Sequence, residues 1–555
     1  MFSASTLLKT FCATALVPTC LWASSLWASE SSDIKQSPSL AAITWVKQAE
    51  SDVGLVSYTD ELANIYEYFS FSPIWHDYRA KDELETQINI ISLAGLSEDF
   101  EWRAVALREL RNSGDWRAYD VFATDSLLAL ISYIEAIPEN GKSWFFGTDI
   151  SEPLPSPTLT QTNNIIASAG RNKLYDFVFE LRPSTSQYKQ MAKAIVKLQD
   201  DEQTYWPKFI QRGLIRPGDK LDDADSLITN LERQGVLSVT DAQRLKIEQV
   251  SFYNSVMSEA VKRFQARHGL KEDGVIGDKT RRWMNKSVNS RIQILALNME
   301  RLRLWPTERQ KIILVNIPNY EMELWIDSEM ILESKVVVGR PSRRTPLFDS
   351  RLDSVVFNPS WNVPVTIMRK DILPKVRQDN EYLAKHSYTV LSSWVNGSVI
   401  APEDIDWENV TERNFPYRLQ QSPGNFNALG RYKFNTPNGN AIYLHDTPAK
   451  SLFNKESRAF SSGCIRVQKA ETLAQVLLNR SGLEFGDYDY YRRIPETKWV
   501  SLRQKIAVHT IYQTAWVNDD GEVQFRNDVY HYDARPKRNA QPSASLTANN
   551  HLLGH

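Results

Sequence analysis

The chain has 555 residues, 42% of them hydrophobic, and a formal net charge of -2. This length predicts a multidomain globular protein of roughly three or four domains. Positive and negative side chains are interspersed along the sequence, which excludes the strongly basic face that a nucleic-acid-binding protein needs. We therefore expect no nucleic acid among its partners.

Residues 1–28 have the features of an export signal. Lys9 is the only charged residue before Glu30, and the apolar run 10–22 is too short for a comfortable transmembrane helix. We expect cleavage near Ala28 and a periplasmic protein, with an uncleaved inner-membrane anchor as the alternative. No later run of 18 apolar residues occurs, so no second membrane span is expected.

Residues 29–205 are predicted to form a helical scaffold domain. Apolar residues recur there at helical spacing, most clearly in the stretches 60–68, 102–111 and 125–137. No catalytic motif stands out in this region, so its predicted role is structural.

Residues 206–288 are predicted to form a compact three-helix module. Gly269 can end one helix in a left-handed conformation, and Asp273 with Gly274 makes a tight turn. The sequence VKRFQARHGL at 261–270, followed by DGVIGDKT, resembles the peptidoglycan-binding module of many bacterial wall enzymes. The alternative is a helical spacer that binds nothing, because turn and core residues alone explain most of the pattern.

A mainly β domain is predicted for residues 311–535, entered through a connecting helix at 289–310. The polar tail 536–555 lacks periodicity and is expected to be disordered. The chain as a whole is therefore expected to be a multidomain α+β protein. Strands are predicted at 312–317, 322–326 and 335–338, with a final hairpin that pairs 516–517 with 523–525.

One cysteine and one histidine of the β domain point to nucleophilic chemistry. Cys12 and Cys20 lie in the predicted export signal, so the mature protein keeps a single thiol, Cys464. An unpaired cysteine in an exported protein is either an inert buried residue or a nucleophile. Residues 440–445 are expected to form a strand that turns His445 away from the core. An adjacent imidazole would take the thiol proton and lower the thiol pKa to roughly 3.5–7.5.

The residues around Cys464 supply the remaining parts of such a site. The backbone N–H groups of Ser462, Gly463 and Cys464 could meet an oxyanion, and Gly463 lets the backbone approach a substrate carbonyl closely. Arg466 is placed either to hold a substrate carboxylate or to brace the loop. Asp446 alternates to the opposite face of the strand, so we expect a backbone carbonyl to orient the imidazole.

Four short motifs surround these residues: YLHDTP at 443–448, SSGCIRV at 461–467, VGRP at 338–341 and NPSWNVP at 358–364. They resemble the active-site signature of the YkuD-type L,D-transpeptidases, and the chain from about residue 34 to 533 resembles the large periplasmic Gram-negative members. Many members of the family have His directly before the Gly-Cys pair; this chain has Ser462 there, as do the large members. The resemblance implies substrate-binding roles for Tyr443, Trp361 and Asn362.

The resemblance implies a reaction on peptidoglycan stem peptides. Cys464 would attack the carbonyl of the third residue of a tetrapeptide and release D-alanine, leaving a thioester. The side-chain amine of a diaminopimelate on a neighbouring stem would then form a 3-3 crosslink, with His445 as base. Residues 367–421 would be a lid insertion that excludes water; the alternative is an insertion without a catalytic part.

The family likeness also sets expectations for partners and inhibitors. The partners would be donor and acceptor stem peptides, with peptidoglycan synthases as further candidates. No cofactor or metal is expected, and a penem-type β-lactam would acylate Cys464.

Other functions remain open at this stage. The same nucleophile could pass the acyl group to water or to a protein lysine, and acceptor choice depends on pocket shape rather than on motif. A noncatalytic wall-binding scaffold is a third hypothesis, and a redox role is weakened because the mature chain has no resolving thiol. His268 and His509 are interpreted as structural or surface residues.

Overall fold

The computed structural model describes residues 37–53, 56–151, 153–202, 204–306, 308–379, 381–395, 397–407, 409–411 and 413–535. The predicted export signal and the predicted tail 536–555 lie outside the described residues. Cys12 and Cys20 lie outside them as well.

The N-terminal part of the described chain is helical, as predicted. The three stretches that the sequence singled out fall on the second, fourth and fifth helices. The helices are α1 Leu40–Val53, α2 Thr59–Tyr68, α3 Tyr78–Leu93, α4 Glu98–Ser113, α5 Trp116–Phe146, α6 Leu159–Gly170, α7 Leu174–Glu180 and α8 Ser186–Glu202.

Helix α5 is 31 residues long, and one window of it is apolar enough to cross a membrane by length and composition alone. Most of that window is buried inside the protein. A core helix of a soluble protein passes the same test, so α5 is weak evidence for a membrane span.

The described chain divides into two compact units, the first made of the residues up to 81 with 109–133 and 154–179. Its core contains a buried carboxylate, Asp120. That carboxylate accepts hydrogen bonds from the Tyr66 hydroxyl at 2.6 Å and from the backbone N–H groups of Ile74 and Trp75 at 3.0 and 2.9 Å. Several donors therefore compensate the cost of burying the carboxylate.

The second unit holds the rest of the described chain. Four helices lie between residues 206 and 287, in the predicted three-helix module. The three predicted helices correspond to the first, third and fourth of them. Gly269 has φ +60° and ends the third helix, as expected. The sequence analysis missed the second helix, which is short and buries only Ala242 and Leu245. The helices are α9 Ala224–Arg233, α10 Val239–Ile247, α11 Ser255–Arg267 and α12 Asp278–Met284.

A connecting helix, α13 Val288–Arg301, leads into the β domain and continues as a 3-10 turn at Leu302–Leu304. Arg301 is fully buried, and its guanidinium donates to Asp533 Oδ1 at 2.7 Å and to the carbonyl oxygens of Phe145 and Tyr532, both at 3.0 Å. The helix is thus bonded to the end of the described chain.

The β domain is built on one nine-stranded sheet. Its strands are β1 Lys311–Asn316, β2 Glu321–Ile326, β3 Glu329–Gly339, β4 Asp349–Phe357, β9 Tyr432–Asn435, β10 Leu444–His445, β11 Ala459–Ser461, β12 Ile465–Val467 and β13 Lys498–Ile511. The order along the sheet is β11-β3-β12-β10-β9-β4-β13-β1-β2. The sheet returns on itself, because β3 pairs with β2 at one end and with β11 and β12 at the other.

The predicted lid region is part of a folded subdomain with its own apolar core. Its four-stranded sheet has the order β5-β8-β6-β7 and begins at Trp361, before the predicted start of the insertion. A π-helical turn lies at Met368–Ile372. The elements are β5 Trp361–Asn362, α14 Val365–Ile367, α15 Leu373–Val376, α16 Tyr382–Lys385, β6 Tyr388–Leu391, β7 Val399–Ile400 and β8 Arg418–Gln421.

Two helices, α17 Ala470–Arg480 and α18 Phe485–Arg493, follow the nucleophile loop. The predicted terminal hairpin is present as β14 Ala515–Val517 and β15 Val523–Phe525. The predicted strand 440–445 is wrong in length. Only Leu444 and His445 pair, because Ala441 has φ +52° and lies in a turn.

Candidate active site

The side chains of Tyr443, His445, Cys464 and Arg466 project from one face of two neighbouring strands. Strands β10 and β12 are parallel, and His445 is the register partner of Arg466. The N–H of Ile465 donates to the Tyr443 carbonyl at 3.1 Å, which extends the register so that Tyr443 lies beside Cys464. Side chains alternate along a strand, so all four share a face.

His445 is buried, with 4% of its surface exposed. The expectation that it turns away from the packing is therefore wrong. The long side chains of Tyr443, Lys433 and Arg466 surround it: the Tyr443 ring lies 5.7 Å from the imidazole, and the other two residues flank it in register. Burial, and then the charge of Arg466, lowers the pKa of His445 to about 3.

The expectation that a backbone carbonyl orients the imidazole is confirmed. His445 Nδ1 lies 2.5 Å from the carbonyl oxygen of Asp446, so Nδ1 carries the proton and donates it. The Asp446 side chain instead accepts from the Arg431 N–H at 2.9 Å. The other imidazole nitrogen, Nε2, makes no hydrogen bond within the described residues and is left with a free lone pair.

Cys464 is a neutral thiol in this arrangement. Burial raises the pKa of the Cys464 thiol, and the opposing effects of Tyr443, Lys433 and Arg466 do not overcome it. Its Sγ lies 4.0 Å from the Ala441 carbonyl oxygen, and no hydrogen bond to His445 occurs in the part of the chain that the structure describes. The expected thiolate–imidazolium pair is thus not the resting state, because both groups are desolvated.

The nucleophile loop is held by Ser461. Its Oγ accepts from the Gly463 N–H at 3.2 Å and donates to the Cys464 carbonyl at 2.6 Å. Gly463 has φ +120°, a conformation that favours glycine. Because the Gly463 N–H is engaged, the N–H groups of Ser462 and Cys464 are the ones without an acceptor among the described residues.

A tyrosine from the end of the chain supports this loop. Thr345 Oγ1 donates to the Gly463 carbonyl at 2.7 Å and accepts from the Gly339 N–H at 2.8 Å. The buried Tyr530 hydroxyl donates to the Gly339 carbonyl at 2.7 Å and accepts from the Thr345 N–H at 3.0 Å. Sequence reasoning missed Tyr530, since no local pattern connects it to a loop so far away in the chain.

Two cations flank the thiol and the imidazole. Lys433 is the register partner of His445 on β9, and its Nζ lies 4.5 Å from the Tyr443 ring centre and 5.5 Å from that of Trp499. Arg466 Nε is buried and has no hydrogen-bond partner in the described part of the chain. Lys433 was also missed. The alternation in β9, with Tyr432 and Phe434 buried, could have placed it on this face.

The two predicted substrate-binding residues on β5 lie differently. Trp361 lies in the subdomain core and is 8% exposed. Its indole makes a hydrogen bond with the Tyr443 hydroxyl. Burial raises the pKa of that hydroxyl, and the hydrogen bond opposes the increase only in part. Asn362 is exposed, and its Oδ1 accepts from Gln420 Nε2 at 2.8 Å. Trp361 is therefore connected to Cys464 through Tyr443, whereas no contact of the described residues brings Asn362 to the site.

The subdomain is tied to the nucleophile loop by charged residues. Arg343 Nη2 donates to Asp371 Oδ1 of the π-helical turn at 3.1 Å, and its Nη1 donates to Ser462 Oγ at 3.0 Å. Arg340 Nη2 lies 3.3 Å from the same carboxylate. Ser462 thus joins the subdomain to the loop that carries Cys464.

Family models match three segments of the chain. Residues 310–495 match the L,D-transpeptidase catalytic domain named YkuD, and residues 60–195 match a scaffold domain. Residues 229–284 match a "putative peptidoglycan binding domain". These matches confirm the predicted fold class and the resemblance on which the sequence analysis relied.

Several proteins similar to this chain are named L,D-transpeptidases. A Haemophilus influenzae protein named "Putative L,D-transpeptidase" is 29% identical over 472 residues, which span 85% of this chain and 78% of that protein. A solved L,D-transpeptidase from Xylanimonas cellulosilytica is 13% identical, covers 56% of this chain and 100% of its own, and has a TM-score of 0.16. One from Stackebrandtia nassauensis is 11% identical, with 56% and 97% coverage and a TM-score of 0.18.

Proposed function

We propose that this chain, whose residues 310–495 form a YkuD-type L,D-transpeptidase catalytic domain, makes 3-3 crosslinks between peptidoglycan stem peptides through a thioester on Cys464. The observation that carries the proposal is the shared strand face. On it, an imidazole with a free Nε2 lies two residues along the register from the only cysteine of the described chain.

In the first half-reaction the Cys464 thiol attacks the carbonyl carbon of the third residue of a tetrapeptide donor. His445 Nε2 takes the thiol proton as the S–C bond forms. The depressed pKa keeps the imidazole neutral at pH 7, with its lone pair available, and also makes it a weak base, since a general base is most effective when its pKa lies near the operating pH. The N–H groups of Ser462 and Cys464 would donate to the oxyanion. When the C–N bond breaks, His445 returns the proton to the amine of the departing D-alanine.

In the second half-reaction the side-chain amine of a diaminopimelate on another stem attacks the thioester carbonyl. His445 removes a proton from that amine, an amide bond forms, and the C–S bond breaks. The proton then returns to the Cys464 sulfur. The enzyme leaves the cycle unchanged, and no cofactor is needed to balance it.

Arg466 and Lys433 make the site favourable for an anionic donor. Arg466 braces no loop through a hydrogen bond among the described residues and has a buried, unsatisfied Nε, which favours the role of holding a substrate carboxylate. A buried guanidinium that gains a carboxylate partner gains a strong, charge-assisted bond. The carboxylate of the terminal D-alanine lies beside the scissile bond and is the natural candidate.

The folded subdomain supports transfer over hydrolysis. A thioester survives for an amine acceptor only if water is kept away from it. Tyr443 packs against the subdomain core, and the Asp371–Arg343–Ser462 chain links that subdomain to the nucleophile loop. We infer that the subdomain is the lid over the acyl-enzyme.

The setting follows from the same proposal. The protein would work in the periplasm after export through residues 1–28, with the segment 229–284 contributing contact with the wall. Peptidoglycan synthases remain candidate partners. A penem-type β-lactam would acylate Cys464, and failure of a carbapenem to add its mass to the protein would count against this assignment.

Mass spectrometry of purified disaccharide-tetrapeptide incubated with the protein tests the function, with Cys464→Ala as control. We expect a crosslinked dimer that has lost one D-alanine, and at least about 10³-fold less of it with the variant. Tripeptide monomer alone would indicate hydrolysis. Unchanged substrate with intact acylation by a carbapenem would indicate another acceptor, such as a protein lysine.

A further inference from the structure

A groove of about 990 Å³ lies between helices α11–α12 and the catalytic domain, and Cys464, His445 and Arg466 do not line it. We call it the junction groove. The catalytic-domain wall comes from residues 318–321, 453–459 and 526–529. Its volume is at the upper end of the range for ligand pockets, about 300–1,000 Å³. The groove can therefore hold a short stretch of a polymer.

Direct bonds across the groove hold its two walls together. Lys279 Nζ of α12 lies 2.7 Å from Glu456 Oε1, and Trp283 Nε1 donates to Asn527 Oδ1 at 3.0 Å. Arg526 Nη1 donates to the Arg267 carbonyl at 3.2 Å. The groove is thus preformed, which reduces the ordering cost of binding.

Cationic side chains outnumber acidic ones in the lining, eight to five. Several of the acidic groups are already neutralised or hydrogen-bonded. Glu456 pairs with Lys279, Asp533 pairs with Arg301, and Asp528 accepts from the hydroxyl of Tyr512. Two of the five acidic groups are thus paired with cations, whereas Asp528 keeps its charge because its donor is a neutral hydroxyl. The cations of the lining still outnumber the acidic groups.

Three exposed cations of the groove form no salt bridge among the described residues: Arg282, Lys335 and Lys455. Glu321, which also lines the groove, is the register partner of Lys335 on the neighbouring strand. Against them stands one exposed acidic residue without a partner in the same part of the chain, Glu272. Clefts lined by one sign of charge concentrate ligands of the opposite sign. In a chain with a net charge of -2, this local excess of positive charge favours an anionic ligand.

The groove is close to the nucleophile along the chain. Ala459 lines it and begins β11, which runs directly into Ser461 and the loop of Cys464. Cys464 is five positions after Ala459, so their Cα atoms are at most about 18 Å apart. A polymer held in the groove would therefore present its neighbouring units near the thiol.

We propose that the junction groove binds a non-reacting stretch of peptidoglycan by its stem-peptide carboxylates, through Arg282, Lys335 and Lys455. The large aromatic residues of the lining, such as Trp283 and Phe453, are buried, so recognition is by charge and not by sugar stacking. This proposal rests on the proposed function and makes the groove a holding site for polymeric substrate beside the reaction centre.

The test uses the full protein, purified sacculi and the double variant Lys335→Glu/Lys455→Glu. Both positions are exposed and belong to the catalytic-domain wall, so the helical module stays intact. The matched control is Lys193→Glu/Lys505→Glu, two exposed lysines outside the lining. We expect about tenfold weaker co-sedimentation with sacculi for the groove variant, a salt-sensitive effect, and turnover of soluble disaccharide-tetrapeptide within about twofold of the unmodified protein.

Four outcomes would overturn the proposal. The first three are unchanged sacculus binding by the groove variant, an equal loss in the control, and full binding to glycan strands from which the stem peptides have been removed. The fourth is a parallel fall in soluble turnover and thermal stability, which would show a structural role. If soluble substrate is never turned over while sacculus binding still depends on Lys335 and Lys455, the proposed function fails and the groove assignment stands.

Discussion

Two buried imidazoles, His445 of the catalytic sheet and His268 of the helical module, begin from nearly the same environment. Nδ1 of each lies near a backbone carbonyl oxygen, that of Asp446 at 2.5 Å and that of Phe264 at 2.7 Å. Burial lowers both pKa values, and an arginine lowers each further, Arg466 for His445 and Arg291 for His268. Burial and residue type therefore do not separate the two.

The difference lies in what is left unsatisfied. Arg291 Nη1 lies 3.3 Å from His268 Nε2, and its Nη2 donates to the Trp283 carbonyl at 2.6 Å. The His268 ring stacks on Phe264 at 3.9 Å. In the catalytic sheet, by contrast, His445 Nε2 and Arg466 Nε have no hydrogen-bond partner among the described residues. Unused hydrogen-bonding capacity beside a thiol distinguishes His445, the proposed base, from His268.

Exchanging each imidazole for an amide should give opposite results and is the strongest test of this comparison. His445→Gln removes the base, and we expect kcat to fall by about 10²–10⁴-fold with little change in Tm. His268→Gln should lower the free energy of unfolding by about 1–3 kcal/mol, and Tm with it, because ring stacking is lost and a hydrogen bond is misplaced. Turnover of soluble muropeptide should stay nearly unchanged. Equal loss of activity in the two variants would contradict the assignment.

The charge state of the thiol gives the next largest effect. With its pKa raised above the ordinary 9.0, Cys464 should be alkylated by iodoacetamide at a rate that rises about tenfold per pH unit, hence about 100-fold from pH 6 to 8. The measurement is mass-spectrometric labelling of protein lacking residues 1–28, with urea-unfolded protein as reference. A rate that is flat below pH 7 would indicate a resting thiolate–imidazolium pair instead.

The two arginines extend the comparison. Arg466→Met should lower kcat/KM for a donor that ends in a free carboxylate by about 10–100-fold, since a charged hydrogen bond is worth about 1.5–3 kcal/mol. A donor that ends in D-alaninamide should be affected much less. Arg291→Met should leave kcat/KM unchanged and lower Tm, because His268 Nε2 and the Trp283 carbonyl lose their hydrogen-bond donor. Similar losses for both donors would argue that Arg466 only braces the fold.

Local sequence signals predicted much of this site and little of its electrostatics. The motif around Cys464, the Gly269 helix end and the terminal hairpin are set within a few residues, so pattern reading identified them. The burial of His445 depends on side chains from β9 and β12, which are adjacent only after the sheet forms. The neutral state of the Cys464–His445 pair follows from that burial, and therefore was not predicted from the motif.

Long-range partners escaped for the same reason. The brace from Tyr530 to Thr345 spans 185 residues of sequence, and no periodicity reports such a contact. Asn362 was included because it belongs to the family-like segment. The structure pairs it with Gln420 on β8, and its substrate-binding role stays a prediction. Register, unlike motif, decides which neighbours of a catalytic residue face the substrate.

Lys433 provides the finest test, because it has the register position of a catalytic residue and no counterpart in the motif. It is half-buried between the Tyr443 and Trp499 rings, and its charge lowers the pKa of Cys464 against the larger effect of burial. Removing that charge in Lys433→Met should raise the thiol pKa further. We expect alkylation by neutral iodoacetamide at pH 8 to slow by roughly threefold to tenfold.

An anionic reagent separates the charge of Lys433 from its packing. Iodoacetate should be favoured by the cations near Cys464, so the ratio of iodoacetate to iodoacetamide rates should fall in Lys433→Met and be largely restored in Lys433→Arg. Lys505→Met, an exposed position, is the control. If the ratio stays constant while both rates fall, Lys433 acts by packing against Tyr443. Arg466 is then the cation that lowers the pKa of Cys464 by its charge.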